Sequence, residues 1–310
     1  MNEILEMLSP NIRSIIESFP PHLQERMEEI RIRLNRPLEV MIGSKYQFPR
    51  SYIVTAEDTI FLLNRLSQHS IYTLEEELKR GYITVQGGHR VGLAGKVITE
   101  KGEVKAIRDV TFFNIRIARQ CKGVAVPLIP YLSTSDHWEN SIIIGPPQSG
   151  KTTLLRDIAR LISIGDEERN LPSYKVGIVD ERSEIAGCVK GVPQHDLGFR
   201  VDILDSCPKA EGMMMLIRSM SPDVIIVDEI GSKEDSEAIM EAVNAGVRLV
   251  VTAHGFNFSD LLKRPSIKPL IDAQIFSRFV ILSREEGPGT FQKILDGSGK
   301  LIGHSMEVFT

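Results

Sequence analysis

Residues Gly145 to Thr153 read G-P-P-Q-S-G-K-T-T, directly after the apolar run Ser141-Ile142-Ile143-Ile144 and directly before the amphipathic stretch Leu154 to Ile162. This is the G-x-x-x-x-G-K-[ST] spacing in a strand, loop, helix setting, and it constrains the chain to a fold that ends a buried strand at a helix N-terminus. Gly145 and Gly150 permit backbone paths that a Cβ resists, so the loop through Pro147, Gln148 and Ser149 can curl around a β-phosphate and present the N–H groups of its non-proline residues. Pro146 opens the turn. Lys151 supplies a compact charge for the β- and γ-phosphates, Thr152 a hydroxyl for Mg²⁺, and Thr153 a cap or packing group for the first helical turn. The pattern implies a nucleoside triphosphate as substrate and Mg²⁺ as cofactor, and carries no base-reading signal that separates ATP from GTP.

Downstream, short Val/Ile runs alternate with helical patterns: 141–144, 175–180, 223–228, 248–252 and 278–282, with helices starting near Thr152, Lys209 and Lys233. Continuous apolar strands of this kind suit a parallel sheet covered on both faces. The expected fold class is α/β with a P-loop core. Upstream, Leu5 to Phe19, Ala56 to Ser67 and Thr73 to Arg80 carry helical periodicity. The segments 30–34, 38–42, 82–86, 91–98 and 111–118 alternate as half-buried strands do, which gives a smaller α+β N-terminal domain. The polar stretch 132–140 sets the expected cut near Ser135, giving domains 1–135 and 136–310.

A second chemical signal stands at a strand exit. Asp228-Glu229 follows four aliphatics, so both carboxylates emerge at the C-terminal edge of the sheet, where ligands of such folds bind. Asp228 is suited to hold Mg²⁺ through water, and Glu229 to orient or deprotonate the attacking water. Asp180-Glu181-Arg182 ends another strand in the same way. Either Glu181 shares the site with Glu229, one as base and the other as a polarising or metal-orienting group, or it pairs with Arg182 at the surface. His254, after Val250-Val251-Thr252-Ala253, ends a further strand; Thr252 and His254 either touch the γ-phosphate, relay its presence to a neighbouring subunit, or serve the fold.

The net charge is −4 and no dense basic tract appears, which disfavours nucleic acid as a partner. No apolar run reaches membrane-spanning length, and the first residues are charged and helical in pattern rather than signal-like, so a cytoplasmic chain is expected. Cys121, Cys188 and Cys207 are widely spaced without a C-x-x-C pair, as in reduced structural thiols.

The order of G-P-P-Q-S-G-K-T-T, V-D-E-R, R-S-M-S-P-D-V-I-I-V-D-E-I-G and V-T-A-H-G resembles the type II/IV secretion ATPase superfamily, and within it the stage III sporulation protein AA family. Glu29-Ile-Arg-Ile-Arg-Leu-Asn-Arg-Pro-Leu38, Gly87-Gly-His-Arg-Val-Gly92 and Asn114-Ile-Arg-Ile-Ala118 extend the likeness over nearly the whole chain. The resemblance implies a RecA-like P-loop ATPase core with a parallel-rich central sheet and a hexameric ring. It implies an ATP-hydrolysing motor that energises a channel or secretion complex between mother cell and forespore, with membrane-embedded sporulation channel proteins as partners that recruit it to the membrane. It also implies that basic residues of the N-terminal domain complete the site, the candidates being Arg31, Arg33, Arg90, Arg108, Arg116 and Arg119. Period-2 alternation separates Arg31 and Arg33 from Ile30, Ile32 and Leu34, so these arginines either face a γ-phosphate or form a solvated outer face. Members of that superfamily commonly carry Gly-Glu where this chain has Asp228-Glu229. A nucleotide-dependent remodeller of nucleic acid is the rival function, since RecA-like cores serve both.

Overall fold

The computed structural model describes residues 1–43, 45–67, 81–134, 137–167, 169–283 and 289–304. The chain forms two compact units, Met1–Arg119 and Gln120–Thr310. The expected cut lay near Ser135. Residues 120–134 instead belong to the second unit because Ala125, Leu128, Ile129 and Leu132 are buried in one core with Leu154, Leu155 and Ile158.

In the first unit, β1 (Met27–Arg33), β2 (Glu39–Ile42), β3 (Lys45–Gln47), β4 (Tyr82–Val85), β5 (His89–Glu100) and β6 (Glu103–Arg116) form an antiparallel sheet in the order β3-β2-β1-β6-β5-β4. Alternation decides its faces. Ile30 and Ile32 are fully buried with Val40, Val91 and Ile115 against the helices Asn2–Met7, Pro10–Glu17 and Ala56–Ser67, whereas Arg31 and Arg33 stand on the other face beside Glu29 and Glu39. The helical pattern read through residues 5–19 is two helices. Pro10 cannot donate a backbone hydrogen bond, and the Ser9 hydroxyl accepts from Ile12 N–H (3.4 Å) to start a new helix. The helix expected over Thr73–Arg80 lies outside the described residues.

One carboxylate ties this unit's helices together. Asp58, almost fully buried, accepts from Thr55 N–H (2.8 Å), Thr55 Oγ1 (2.9 Å), Tyr52 Oη (2.8 Å) and the Ser9 hydroxyl. Burial pushes its pKa up, but the bonds from Ser9, Thr55 and Tyr52 outweigh burial and leave it below the usual aspartate range.

In the second unit, β7 (Ser141–Gly145), β8 (Val176–Asp180), β9 (Val201–Asp205), β10 (Val224–Val227), β11 (Arg248–His254), β12 (Arg278–Leu282), β13 (Phe291–Asp296) and β14 (Leu301–His304) form one sheet. Its order is β14-β13-β12-β7-β11-β10-β8-β9, with β12 to β9 running parallel and β13 and β14 antiparallel. Both faces are covered. Ile143 and Ile226 pack toward the helix Lys151–Ile164, while Ile142, Ile144, Ile225 and Val227 pack toward the helices Lys209–Ser219 and Lys233–Asn244. That two-sided burial is why these strands are continuously aliphatic. Among the described residues, no helix is long and apolar enough to cross a membrane.

Replacing Asp58 with Ala strands the buried Ser9 hydroxyl and takes one acceptor from the half-buried Tyr52 hydroxyl and from the Thr55 hydroxyl and N–H. The first unit should lose about 2 kcal/mol or more. Its native contribution should also fade as the pH drops below the usual aspartate range, because the folded pKa is the lower one. Urea unfolding of both proteins at pH 7 and pH 3 measures the two effects.

Candidate nucleotide site at the strand ends

The loop after β7 takes the path that its spacing predicts, with one correction. Gly150 has φ +87° and needs glycine for its backbone, but Gly145 needs it for room: an added Cβ would lie 2.3 Å from Ser149 Oγ. Ser149 is buried, and Gln148 adopts φ +63°. Lys151, 5% exposed, donates from Nζ to the carbonyls of Gly145 and Pro146, both at 3.0 Å. A charged amine folded back on the loop carbonyls at a helix N-terminus is a geometry that attracts polyphosphate.

Sheet register brings the remaining groups together. Val227 lies beside Val251 and Val179, so Asp228 and Glu229 leave β10 between the ends of β11 and β8. Asp228 accepts from Thr152 Oγ1 (2.7 Å) through one oxygen and from the Thr252 hydroxyl through the other. Thr252 in turn accepts from Glu229 N–H (2.8 Å), which fixes Glu229 at φ +54°. The Glu229 carboxylate then meets His254 Nε2 at 3.0 Å and Arg182 Nη1 at 3.2 Å. The sequence left Thr252 as a phosphate contact, a relay or a fold residue; it is fully buried and serves Asp228.

Glu181 lines the same small cleft as Glu229 and Asp228, but its ion-pair partner is Lys209, from the next helix, and Arg182 belongs to Glu229. Beneath it, Asp180 accepts from the N–H groups of Glu184 (2.8 Å), Ile185 (3.0 Å) and Ala186 (2.8 Å). Buried Arg156, from the loop's own helix, donates to the carbonyls of Ile185 and Glu184, both at 2.7 Å. Neither contact carries a local sequence signal. Burial, reinforced by the charges of Asp205 and Asp228, pushes Asp180 up to about 6. Burial also pushes the Cys188 thiol up to about 12, as suits a structural cysteine.

Thr152 and Asp228 offer hard oxygen donors on adjacent side chains, the chemistry that Mg²⁺ prefers. Among the described residues no group of three or more His, Cys, Asp or Glu could hold a metal.

The six candidate arginines all lie in the first unit. Arg31 pairs with Glu29 (3.0 Å) and Glu39 (3.8 Å), Arg33 with Glu39 (2.5 Å) and Arg116 with Glu29 (3.5 Å). Arg90 stacks 3.8 Å above the Tyr82 ring, Arg119 donates to the Met27 carbonyl (2.6 Å), and exposed Arg108 stands opposite Lys96.

A glycine-rich loop between a buried strand and a helix, on a largely parallel sheet, makes this a P-loop protein of the RecA-like fold. The structure is similar to the Legionella pneumophila ATPase DotB (TM-score 0.59, 16% identity, covering 88% of this chain and 76% of that one). It is also similar to the pilus retraction motor PilT with bound ADP (TM-score 0.60, 17% identity, covering 99% of this chain and 84% of that one). The chain belongs to the family described as sporulation stage III, protein AA, whose model matches residues 1–302. It is 55% identical to stage III sporulation protein AA of Bacillus subtilis over 310 residues, the full length of both chains.

Because the folded pKa of Asp180 lies above the unfolded value of 3.8, the native state keeps a proton that the unfolded chain releases between about pH 4 and pH 6. The stability from this group is therefore full below pH 4 and lost as the pH rises through 6. Urea midpoints of the wild type should fall relative to Asp180→Asn across that window; a constant difference would contradict the assignment.

Proposed function

We propose that this protein hydrolyses ATP as a motor of the secretion ATPase type and energises a channel or secretion complex between mother cell and forespore. The observation that carries the hydrolytic reading is the Thr152–Asp228–Thr252 bridge, which joins the loop helix to the strand exit bearing Glu229. The loop Gly145–Thr153 binds the phosphates, with Lys151 on the β- and γ-groups. Thr152 and Asp228 hold Mg²⁺, which neutralises phosphate charge when bound. Glu229 takes a proton from water as its oxygen bonds to the γ-phosphorus and the bond to ADP breaks. His254 orients Glu229, and Glu181 polarises the same cleft.

Copies assemble as a ring, likened to a hexamer by the family resemblance, and one or more of the six N-terminal arginines complete the site. Two domains, divided at Arg119 and Gln120 in place of Ser135, provide the moving parts. Membrane-embedded channel proteins of the sporulating cell recruit the chain from the cytoplasm.

Glu229→Gln should bind ATP normally yet turn it over at least ~100-fold more slowly, the scale for losing a general base. Turnover near the wild-type rate would overturn the role. Lys151→Ala should lose nucleotide binding.

Sites shared between copies make a separate expectation. Mixing Lys151→Ala subunits with subunits lacking the contributing arginine should restore some hydrolysis through hybrid interfaces. Light scattering that finds full activity in a strictly monomeric species would refute sharing.

A further inference from the structure

A second cavity opens beside the loop, lined by Pro146, Pro147, His254, Phe256, Asp260 and Arg264 among others. It is set apart by a cation without a counter-charge. At this edge of the sheet Lys209 is held by Glu181, Arg182 meets Glu229, and Lys151 lies on the loop carbonyls. Arg264 is half-buried, and among the described residues no carboxylate lies within 4 Å of its guanidinium.

The obvious partner is present and turned away. Asp260, one helical turn earlier, accepts from Phe256 N–H at 2.9 Å, whereas the next helix makes the equivalent i,i+4 pair from Lys268 to Asp272 at 2.5 Å. The segment that carries Arg264 is itself fixed. Asn257 Oδ1 accepts from Asp260 N–H (3.0 Å), and Gly255 passes so close to β7 that an added Cβ would lie 3.0 Å from Ile144. A partly desolvated guanidinium held without an anion is costly, and its planar fork matches phosphate oxygens.

Position selects the anion. One wall of the cavity is the flank of the phosphate loop, and the other includes His254, which stands in register with Gly145 and bonds Glu229. A β-phosphate held at the N-terminus of the helix Lys151–Ile164 would leave its terminal neighbour on the side of the loop where His254 stands, next to this cavity.

We infer that Arg264 contacts the γ-phosphate and makes the site distinguish a nucleoside triphosphate from a diphosphate, an inference that rests on the nucleotide reading of the loop. The test compares affinities of the full-length wild type, Arg264→Ala, Arg264→Lys and Lys151→Ala for ADP and for a non-hydrolysable ATP analogue, by titration calorimetry with Mg²⁺ present. Wild type should prefer the analogue. Arg264→Ala should bind it roughly tenfold or more weakly while keeping its ADP affinity within about twofold, the change expected for one charge-assisted contact. Arg264→Lys should fall between.

An unchanged preference in Arg264→Ala, an equal loss of ADP binding, or no preference in the wild type overturns the role of Arg264. Absence of binding of either nucleotide by the wild type, or binding undisturbed in Lys151→Ala, overturns the reading of the loop instead.

Discussion

The carboxylate of Asp228 is the point on which the candidate site depends. Each of its oxygens accepts a hydroxyl from a different element, Thr152 at the start of the loop helix and Thr252 in β11. A partly buried charge is tolerable when its lone pairs are filled in this way. Thr252 passes the constraint on, because its oxygen also receives the backbone N–H of Glu229. Glu229 sits at φ +54°, a conformation that a side-chain-bearing residue keeps only where its surroundings hold it. The backbone turn that aims Glu229 at His254 and Arg182 is thus fixed from below by one threonine that no solvent reaches.

The same strand edge concentrates negative charge. Asp180, Asp205, Asp228, Glu181 and Glu229 emerge within neighbouring strands, and the displacement of Asp180 toward about 6 reflects burial among them. A polyphosphate would be repelled from such an edge unless cations intervene. They do, in a graded series. Lys209 and Arg182 neutralise the outer glutamates, and Lys151 stands at the loop. Below the cleft, Arg156 works through geometry, bonding two carbonyls of the 184–185 turn while Asp180 gathers its N–H groups, so the turn is pinned from both sides.

What the sequence revealed followed from period and spacing. Strands buried on both faces must be aliphatic throughout, so Val224–Val227 and its neighbours stood out, and each run ended where polar residues had to emerge. β9 did not stand out, because its five residues are all half-buried and Asp202 and Asp205 interrupt the apolar run without a period of two. The β13–β14 hairpin is as weakly marked. The break at Ser9-Pro10 was written in the chain, yet the apolar period of Ile12, Ile15 and Ile16 runs through in phase with Ile4, Leu5 and Leu8. The partnership of Thr252 with Asp228 depends on β10 and β11 lying in register, and that of Arg156 with the 184–185 turn on a helix crossing the sheet. Neither is encoded within a window of neighbours. Residues 120–134 read as the tail of the first domain because polarity marked the next turn, whereas burial of Leu128 and Leu132 decides their allegiance.

The arginines of the first unit differ in what a phosphate would have to displace. Arg33 lies 2.5 Å from Glu39, and Arg31 lies close to both Glu29 and Glu39, so either would exchange one anion for another. Arg116 is held more loosely, at 3.5 Å, and is exposed. Arg90 stacks its face on the Tyr82 ring. Arg108 lies on the long β5–β6 hairpin opposite Lys96, where two like charges face each other across the strands and an incoming anion relieves repulsion rather than competing with a carboxylate. An anion would therefore displace least at Arg108, more at Arg116 and most at Arg31 and Arg33, whose strand is the charge-balanced outer face of the sheet.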